Sequence, residues 1–146
     1  MNKQITFDYD RTLSRPDVQE YAKELIDRGI DVSVVTSRYD ELHIHGYEGQ
    51  IDASNWNNND LWEVVDRLGI PRWKVYFTNM GWKSEYLMGT NVIWHLDDNP
   101  KELFMIKNSG IKTIGIQVVS GNWKKKCERL LNKKANNDKI RSEKTS

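Results

Sequence analysis

Residues 4–14 read QITFDYDRTLS, and the interpretation of the chain starts from them. Apolar residues alternate loosely through 4–9, which predicts a short strand. Asp8 and Asp10 stand one residue apart where this strand meets a loop, and Thr12 follows. Neighbouring carboxylates repel each other, and burying them is costly unless something compensates their charge. The stretch therefore raises the question of what lies opposite the two aspartates.

Strand and helix patterns alternate along the rest of the chain. A helix is predicted from Pro16, with Ser14 and Asp17 as a capping box and Gly29 as its end. The β-branched run IDVSVVTS, residues 30–37, predicts the second strand. Residues 38–59 are irregular and predict a long loop, either without regular structure or with a short element inside. Three more strands are expected at about 74–78, 91–98 and 111–118, with helices at about 60–68, 82–88, 99–109 and 122–131.

This order of elements predicts an α/β fold. Alternating strands and helices favour right-handed crossovers and parallel pairing. We therefore expect a doubly wound, mostly parallel five-stranded sheet with a Rossmann-like core. In such sheets, ligands collect beyond the carboxyl ends of the strands.

Composition is that of a soluble globular domain. The 146 residues suit one domain, with 38% apolar and 29% charged residues. The single cysteine, Cys127, excludes an internal disulfide and a cysteine-based zinc site. No apolar run reaches membrane-spanning length, and the N-terminus is too polar for a signal peptide. We expect a cytoplasmic protein with no membrane partner.

The C-terminal end is basic. Residues 121–146 carry nine Lys/Arg and three Asp/Glu, whereas the remainder carries 13 and 18. This pattern fits either a polyanionic partner or a solvated helix with a frayed end. Residues 136–146 lack apolar periodicity and are predicted to be a disordered basic tail, which leaves 1–135 as the folded core.

Polar side chains are expected together at the carboxyl edge of the sheet. They stand at strand ends or open the next helix: Asp8, Asp10, Thr36, Ser37, Lys83, Asp97 and Asp98. Several carboxylates at one edge need a cation to coexist, and oxygen ligands without His or Cys favour Mg²⁺. A lysine and a hydroxyl would hold phosphate oxygens, and one aspartate could attack phosphorus. The set therefore indicates phosphoryl transfer.

The motifs resemble those of the haloacid dehalogenase-like superfamily of phosphohydrolases. That family places Asp-x-Asp-x-Thr after its first strand, matched here by DYDRT, residues 8–12. It places Ser or Thr after strand two, matched by Thr36, and lysine before strand four, matched by Lys83. An acidic pair ends strand four, matched by Asp97 and Asp98. Each motif alone is weak, but all four occur in the family's order.

The resemblance, which covers roughly residues 4–120, implies roles for the first motif. Asp8 would be the nucleophile and a magnesium ligand. Asp10 would be the general acid and base, and its backbone carbonyl would bind the metal. Thr12 would orient Asp10. Arg11 stands where many members have glycine, and it either meets the substrate or points to solvent.

The same resemblance implies roles for the other motifs. Thr36, with Ser37 beside it, and Lys83 would hold the phosphoryl group. Asp97 would bind Mg²⁺ directly, and Asp98 would support the metal or the lysine. The expected activity is hydrolysis of a phosphomonoester through an aspartyl-phosphate intermediate.

The spacing of the motifs leaves little room for a cap domain. A capless core goes in this family with large substrates such as nucleic-acid ends, although small phosphate esters and nucleotides stay open. The chain is loosely similar to the 3′-phosphatase part of polynucleotide kinase-phosphatases. The alternatives are a catalytically silent binding module and a phosphotransferase such as a mutase.

Four other residues each allow two interpretations. His43 and His45 either contact a metal or substrate or are solvated loop residues. Trp56 and Trp82 either stack on a base or pack within the fold. A calcium loop starting at Asp8 is excluded, because Leu13 and Gln19 stand where an EF-hand needs glycine and glutamate.

Overall fold

A single parallel sheet organises the protein. The computed structural model describes residues 2–47 and 57–133, with side chains at 2–44 and 57–133. The strands are β1 (Gln4–Phe7), β2 (Asp31–Thr36), β3 (Val75–Phe77), β4 (Val92–Asp97) and β5 (Ile114–Gln117). Their order in the sheet is β3-β2-β1-β4-β5, and every neighbouring pair is parallel. The expected α/β fold with a Rossmann-like, five-stranded sheet is confirmed, and the sheet is parallel throughout.

The connection pattern places one end of β1 and β4 at a switch point. The chain runs from β1 outward through β2 to β3 and then returns to the other side of β1 as β4. Phe7 pairs with Val34 on one side and with Leu96 on the other. Asp8 and Asp97 each lie one residue beyond the Phe7–Leu96 pair, so the register brings these two carboxylates side by side.

Six helices flank the sheet in the described residues. They are α1 (Pro16–Asp27), α2 (Glu41–Tyr47), α3 (Asn59–Leu68), α4 (Lys83–Leu87), α5 (Pro100–Asn108) and α6 (123–133). The larger apolar cluster joins the sheet to α1, α3 and α6, and Trp94 lies fully buried within it. A smaller cluster of Val35, Leu87, Val92 and Ile106 joins the sheet to α4 and α5. Neighbouring Val34 and Val35 belong to different clusters, as the alternation of strand side chains requires.

One local prediction needs correction. The residue before α1 is Arg15, not a capping Ser14, because the Ser14 hydroxyl oxygen already accepts a bond from the Arg11 N–H at 3.0 Å. The predicted loop does contain a short element, the helix α2, whose bounds the polar sequence did not indicate. The predicted basic tail, 136–146, and Trp56 lie outside the described residues.

Within the described residues, the structure has no helix with the length and apolar character needed to cross a membrane.

Candidate active site

A wide turn follows β1 and presents Asp8 to the sheet edge. The Leu13 N–H donates to the Asp8 carbonyl at 3.0 Å, and the Ser14 N–H donates to the Tyr9 carbonyl at 2.9 Å. Arg11 has a φ of 60° within this turn, a left-handed conformation that favours glycine. Asp8 itself is only 4% exposed. The turn thus buries one acidic side chain of DYDRT and leaves Asp10 exposed.

Lys83 joins the ends of β1 and β4. Its Nζ lies 2.8 Å from Asp8 Oδ1 and 2.6 Å from Asp97 Oδ2, and the lysine is 2% exposed. Glu102 of α5 accepts the Lys83 backbone N–H at 3.0 Å, which satisfies an open donor at the start of α4. The two helices therefore position the ammonium group between the two carboxylates.

Thr12 contacts the first aspartate of its motif. Its hydroxyl donates to Asp8 Oδ2 at 3.1 Å, and Thr12 is fully buried. The family resemblance implies that Thr12 orients Asp10, but the structure pairs Thr12 with Asp8 instead. The reason is the direction of the wide turn, which carries Asp10 outward while Thr12 folds back beneath Asp8.

His95 lies in β4 and its ring contacts the Asp97 carboxylate. The imidazole is fully buried, with Nε2 at 2.7 Å from Asp97 Oδ2 and Nδ1 at 2.8 Å from Thr6 Oγ1. In the sequence His95 stands within an apolar run, and nothing there reveals its partners. Asp97 Oδ2 meets both Lys83 and His95, whereas Oδ1 accepts the Asn99 N–H at 3.0 Å.

The charges of the site perturb its ionisation. Burial, the largest influence, raises the pKa of Asp8, and the charge of Asp97 and a side-chain hydrogen bond with Asp98 raise it further against the opposing effect of Lys83. Burial also disfavours the charged form of Asp97, but its contacts with His95 and Lys83 outweigh burial and hold its pKa well below the ordinary value. Burial lowers the pKa of Lys83, but the two carboxylates outweigh it and the net shift is upward.

Three carboxylates are close enough to share a metal ion. Asp8, Asp97 and Asp98 can each place one oxygen within 4.8 Å of the others. Lys83 supplies one positive charge to this group, so a negative excess remains when all three are ionised. An all-oxygen donor set with excess negative charge suits a hard divalent cation. Asp98, expected only in support, is part of the cluster, whereas the side chain of Asp10 is not.

Asp10 is turned toward Arg38 at the surface. Arg38 Nε and Nη2 lie 2.9 and 2.7 Å from the two carboxylate oxygens of Asp10. The same guanidinium contacts Asp60, at the start of α3, at 2.8 and 2.9 Å. The sequence gives no sign of Arg38 as a site residue, because its partner Asp10 lies 28 positions away.

The predicted hydroxyl groups lie at the end of β2. Thr36 is fully buried, and its hydroxyl oxygen accepts the Arg38 N–H at 3.2 Å. Ser37 is half-buried and its carbonyl accepts the Met80 N–H at 2.8 Å. Neither residue hydrogen-bonds to Asp8 or Lys83 within the described part of the chain. They stand on the strand next to β1, at the same carboxyl edge.

The remaining candidates lie apart from the carboxylates. His43 Nδ1 lies 2.7 Å from Asp40 Oδ1, and the side chain of His45 is outside the described residues. Trp82 directly precedes Lys83 and is 42% exposed. It borders a cavity of about 280 Å³ whose other walls are Pro100, Lys101, Phe104 and Met105.

No protein-family model, curated protein or solved structure shows a significant match to this chain. What the site does must therefore be inferred from its residues and their geometry.

Proposed function

We propose that this protein is a magnesium-dependent phosphomonoester hydrolase of the haloacid dehalogenase-like type. The observation that carries the proposal is the junction of Asp8, Asp97 and Lys83 at the ends of adjacent strands. One buried carboxylate beside a lysine and two further acids offers a nucleophile, a cation for phosphate oxygens and a metal site together.

The chain's own residues would divide the reaction as follows. A carboxylate oxygen of Asp8 attacks phosphorus, a new P–O bond forms, and the bond from phosphorus to the ester oxygen breaks. Asp10 gives a proton to the departing oxygen. In the second half, Asp10 takes a proton from water, the water oxygen attacks phosphorus, and the bond to Asp8 breaks to release inorganic phosphate.

The site residues other than the nucleophile stabilise charge. Lys83 is held to Asp8 and Asp97, so its ammonium is placed to neutralise the phosphoryl oxygens. The Thr36 hydroxyl, at the neighbouring strand end, is available to donate to the same group. Asp8, Asp97 and Asp98 would hold the ion. When bound, Mg²⁺ supplies positive charge to the transferring phosphoryl group and to the attacking carboxylate.

The proposal includes an active site that no cap domain covers within the described residues. Between β1 and α1 the chain has only residues 8–15, so no domain is inserted there. Between β2 and β3 the described chain contains α2 and α3, with 48–56 outside the described part. An open site of this kind suits phosphate groups on larger molecules, including nucleic-acid ends and nucleotides.

Hydrolysis of p-nitrophenyl phosphate tests the function. The wild type should turn over with Mg²⁺ and lose activity with EDTA, and Asp8→Asn should lower kcat by at least about 10³-fold. Asp66→Asn is the matched control, because Asp66 lies exposed on α3 and pairs with Arg72 away from the site. Equal activity in wild type and Asp8→Asn would contradict the assignment. No activity on any phosphoester would favour a catalytically silent binding module.

A further inference from the structure

The guanidinium of Arg38 occupies both oxygens of the proposed acid–base residue. Its Nε and Nη2 form a two-point contact with Asp10, at 2.9 and 2.7 Å. An aspartate held in this way has no oxygen directed to an ester oxygen above Asp8. The observed arrangement is therefore one that must open before Asp10 can act.

The carboxylate partners of Arg38 are open to solvent. Asp10 and Asp60 are 52% and 56% exposed, so salt screens these ion pairs and an anion from solution can reach the same guanidinium. The arginine side chain itself is 22% exposed and lies over the Tyr9 ring, 4.9 Å from its centroid. The ring keeps the guanidinium at the mouth even when its carboxylate partners leave.

A second arginine directly follows Asp10 in the chain. Arg11 follows Asp10 in the chain and is exposed, and its side chain forms no ion pair with the residues the structure describes. Its φ of 60° is strained for any residue with a side chain. Strain of this kind at the edge of a site is a reason to look for a function in that side chain.

We propose that Arg11 and Arg38 form a second anion subsite beside Asp10, and that a second phosphate group on the substrate takes Arg38 away from that carboxylate. This inference rests on the proposed function and deepens it by naming the substrate class. Arginine matches phosphate in a planar two-point contact, and a dianionic group competes well with an exposed carboxylate. The preferred substrate is a phosphomonoester that carries another phosphate nearby, either in a small nucleotide or in a nucleic-acid strand.

Three groups of substrates separate these cases. Adenosine 3′,5′-bisphosphate carries the second phosphate, adenosine 3′- and 5′-monophosphates lack it, and an oligonucleotide with a terminal phosphate carries it as a diester. We expect kcat/KM to be about tenfold or more higher with the second phosphate, the gain of one charged hydrogen-bonded contact. A gain only for the oligonucleotide would identify a strand phosphate as its source. No gain for either would overturn the inference.

Arg38→Met is the deciding variant. It should remove the preference and raise the rate with p-nitrophenyl phosphate, which has no second anion, because Asp10 is then free. Arg72→Met is the matched control, since Arg72 makes a similar two-point contact with exposed Asp66. A retained preference, or a lower rate on p-nitrophenyl phosphate in Arg38→Met alone, would show that Arg38 does not act in this way.

Two further measurements separate a role of Arg38 in the anion subsite from other effects of its replacement. Asp60→Asn weakens the ion pair of Arg38 with Asp60 and leaves its contacts with Asp10, Asn58 and the Tyr9 ring, so it should keep the preference. Equal loss of the preference in Arg38→Met and Asp60→Asn would assign the effect to the packing of α3 and overturn the inference.

The second measurement is calorimetric binding of adenosine 3′,5′-bisphosphate and the monophosphates to Asp8→Asn with Mg²⁺, which requires no turnover. Tighter binding of the bisphosphate that disappears with Arg38→Met supports the subsite even if the proposed hydrolase activity fails.

Discussion

His95 Nε2 lies 2.7 Å from Asp97 Oδ2 in the floor of the site, and both side chains are fully buried. A carboxylate only accepts, and burial lowers the pKa of His95 against the opposing pull of Asp97, so the neutral ring carries its proton on Nε2. Nδ1 then accepts from the Thr6 hydroxyl at 2.8 Å. This chain of contacts fixes Asp97 Oδ2, while Oδ1 accepts the Asn99 N–H at 3.0 Å.

Replacing His95 should weaken metal binding at the proposed site of Asp8, Asp97 and Asp98. His95→Leu removes the donor to Asp97, and losing such a supporting contact typically costs about 10–100-fold in metal affinity. His95→Gln can place an amide N–H near the former Nε2 and should recover part of that loss. Mn²⁺ binding followed by electron paramagnetic resonance measures affinity directly, beside the Mg²⁺ dependence of hydrolysis.

His95→Leu should also lower the stability of the fold, and this effect can be separated from the effect on metal affinity. His95→Leu leaves the buried Thr6 hydroxyl unpaired, which should lower the free energy of unfolding by about 1–3 kcal/mol. His95→Leu combined with Thr6→Val should recover part of this stability without recovering Mn²⁺ affinity. Unchanged Mn²⁺ binding in His95→Leu would show that the histidine only fills the core.

Magnesium should stabilise the folded protein. Binding to the carboxylate cluster favours the native state by about 2.7 kcal/mol when the free ion is at 100 times its dissociation constant. Asp98→Asn removes one of the three acids and should reduce the shift in melting temperature, whereas Asp66→Asn should not. The measurement is a thermal melt with and without Mg²⁺. An identical shift in wild type and Asp98→Asn would exclude Asp98 from the ion.

Arg11 should be replaceable by glycine without loss of the fold. Glycine relieves the left-handed strain, which stabilises the fold by about 1–2 kcal/mol. The greater freedom of glycine in the unfolded chain opposes this by about 0.5–1 kcal/mol. We expect Arg11→Gly to raise the free energy of urea unfolding by about 0.5–1 kcal/mol. Met80→Gly, at φ 68°, should gain similarly and serves as the comparison away from the aspartates. A clear loss of stability in Arg11→Gly would mean that the arginine holds the turn.

The contact between α1 and α6 should depend on pH. Burial alone would raise the pKa of Glu128, but the bonds from Tyr21 and Arg28, at 2.7 and 2.8 Å, hold it below its ordinary value. A lowered pKa stabilises the fold above the unfolded value of about 4.3, and that stability is lost as the pH falls through the lower folded value. Glu128→Gln should therefore cost about 1 kcal/mol at pH 7 and progressively less toward pH 3.

Urea unfolding of wild type and variant across this pH range measures the difference. Glu24→Gln is the control, because the one ion pair of the Glu24 carboxylate among the described residues is with exposed Lys124, at 3.4 Å. A cost of Glu128→Gln that stays constant from pH 7 to pH 3 would contradict the assigned ionisation.

Much of the fold was predictable because its signals are local. The β-branched run of β2, the apolar run of β4 and the apolar stripe of α1 depend on near neighbours in the chain. The parallel sheet then brings strand ends to one edge, which is why Asp8, Lys83 and Asp97 could be expected together. A short helix such as α2 carries too few apolar positions for periodicity to detect.

The missed residues act through distant partners. His95 meets Thr6 from 89 positions away, and Glu102 meets Lys83 from 19. Nothing in the spacing of the chain reports such pairings, since they depend on where helices and turns settle after the sheet forms. The direction of Asp10 was likewise hidden, because it follows from the left-handed step at Arg11.

If the proposed mechanism is correct, Asp8 becomes phosphorylated during turnover. The most direct measurement is acid quenching of wild type with a ³²P-labelled phosphomonoester and Mg²⁺, followed by peptide mapping and hydroxylamine treatment. We predict label on the peptide that contains Asp8, its release by hydroxylamine, and its absence in Asp8→Asn but not in Asp66→Asn. Label on another residue, or full turnover by Asp8→Asn without label, would contradict the account.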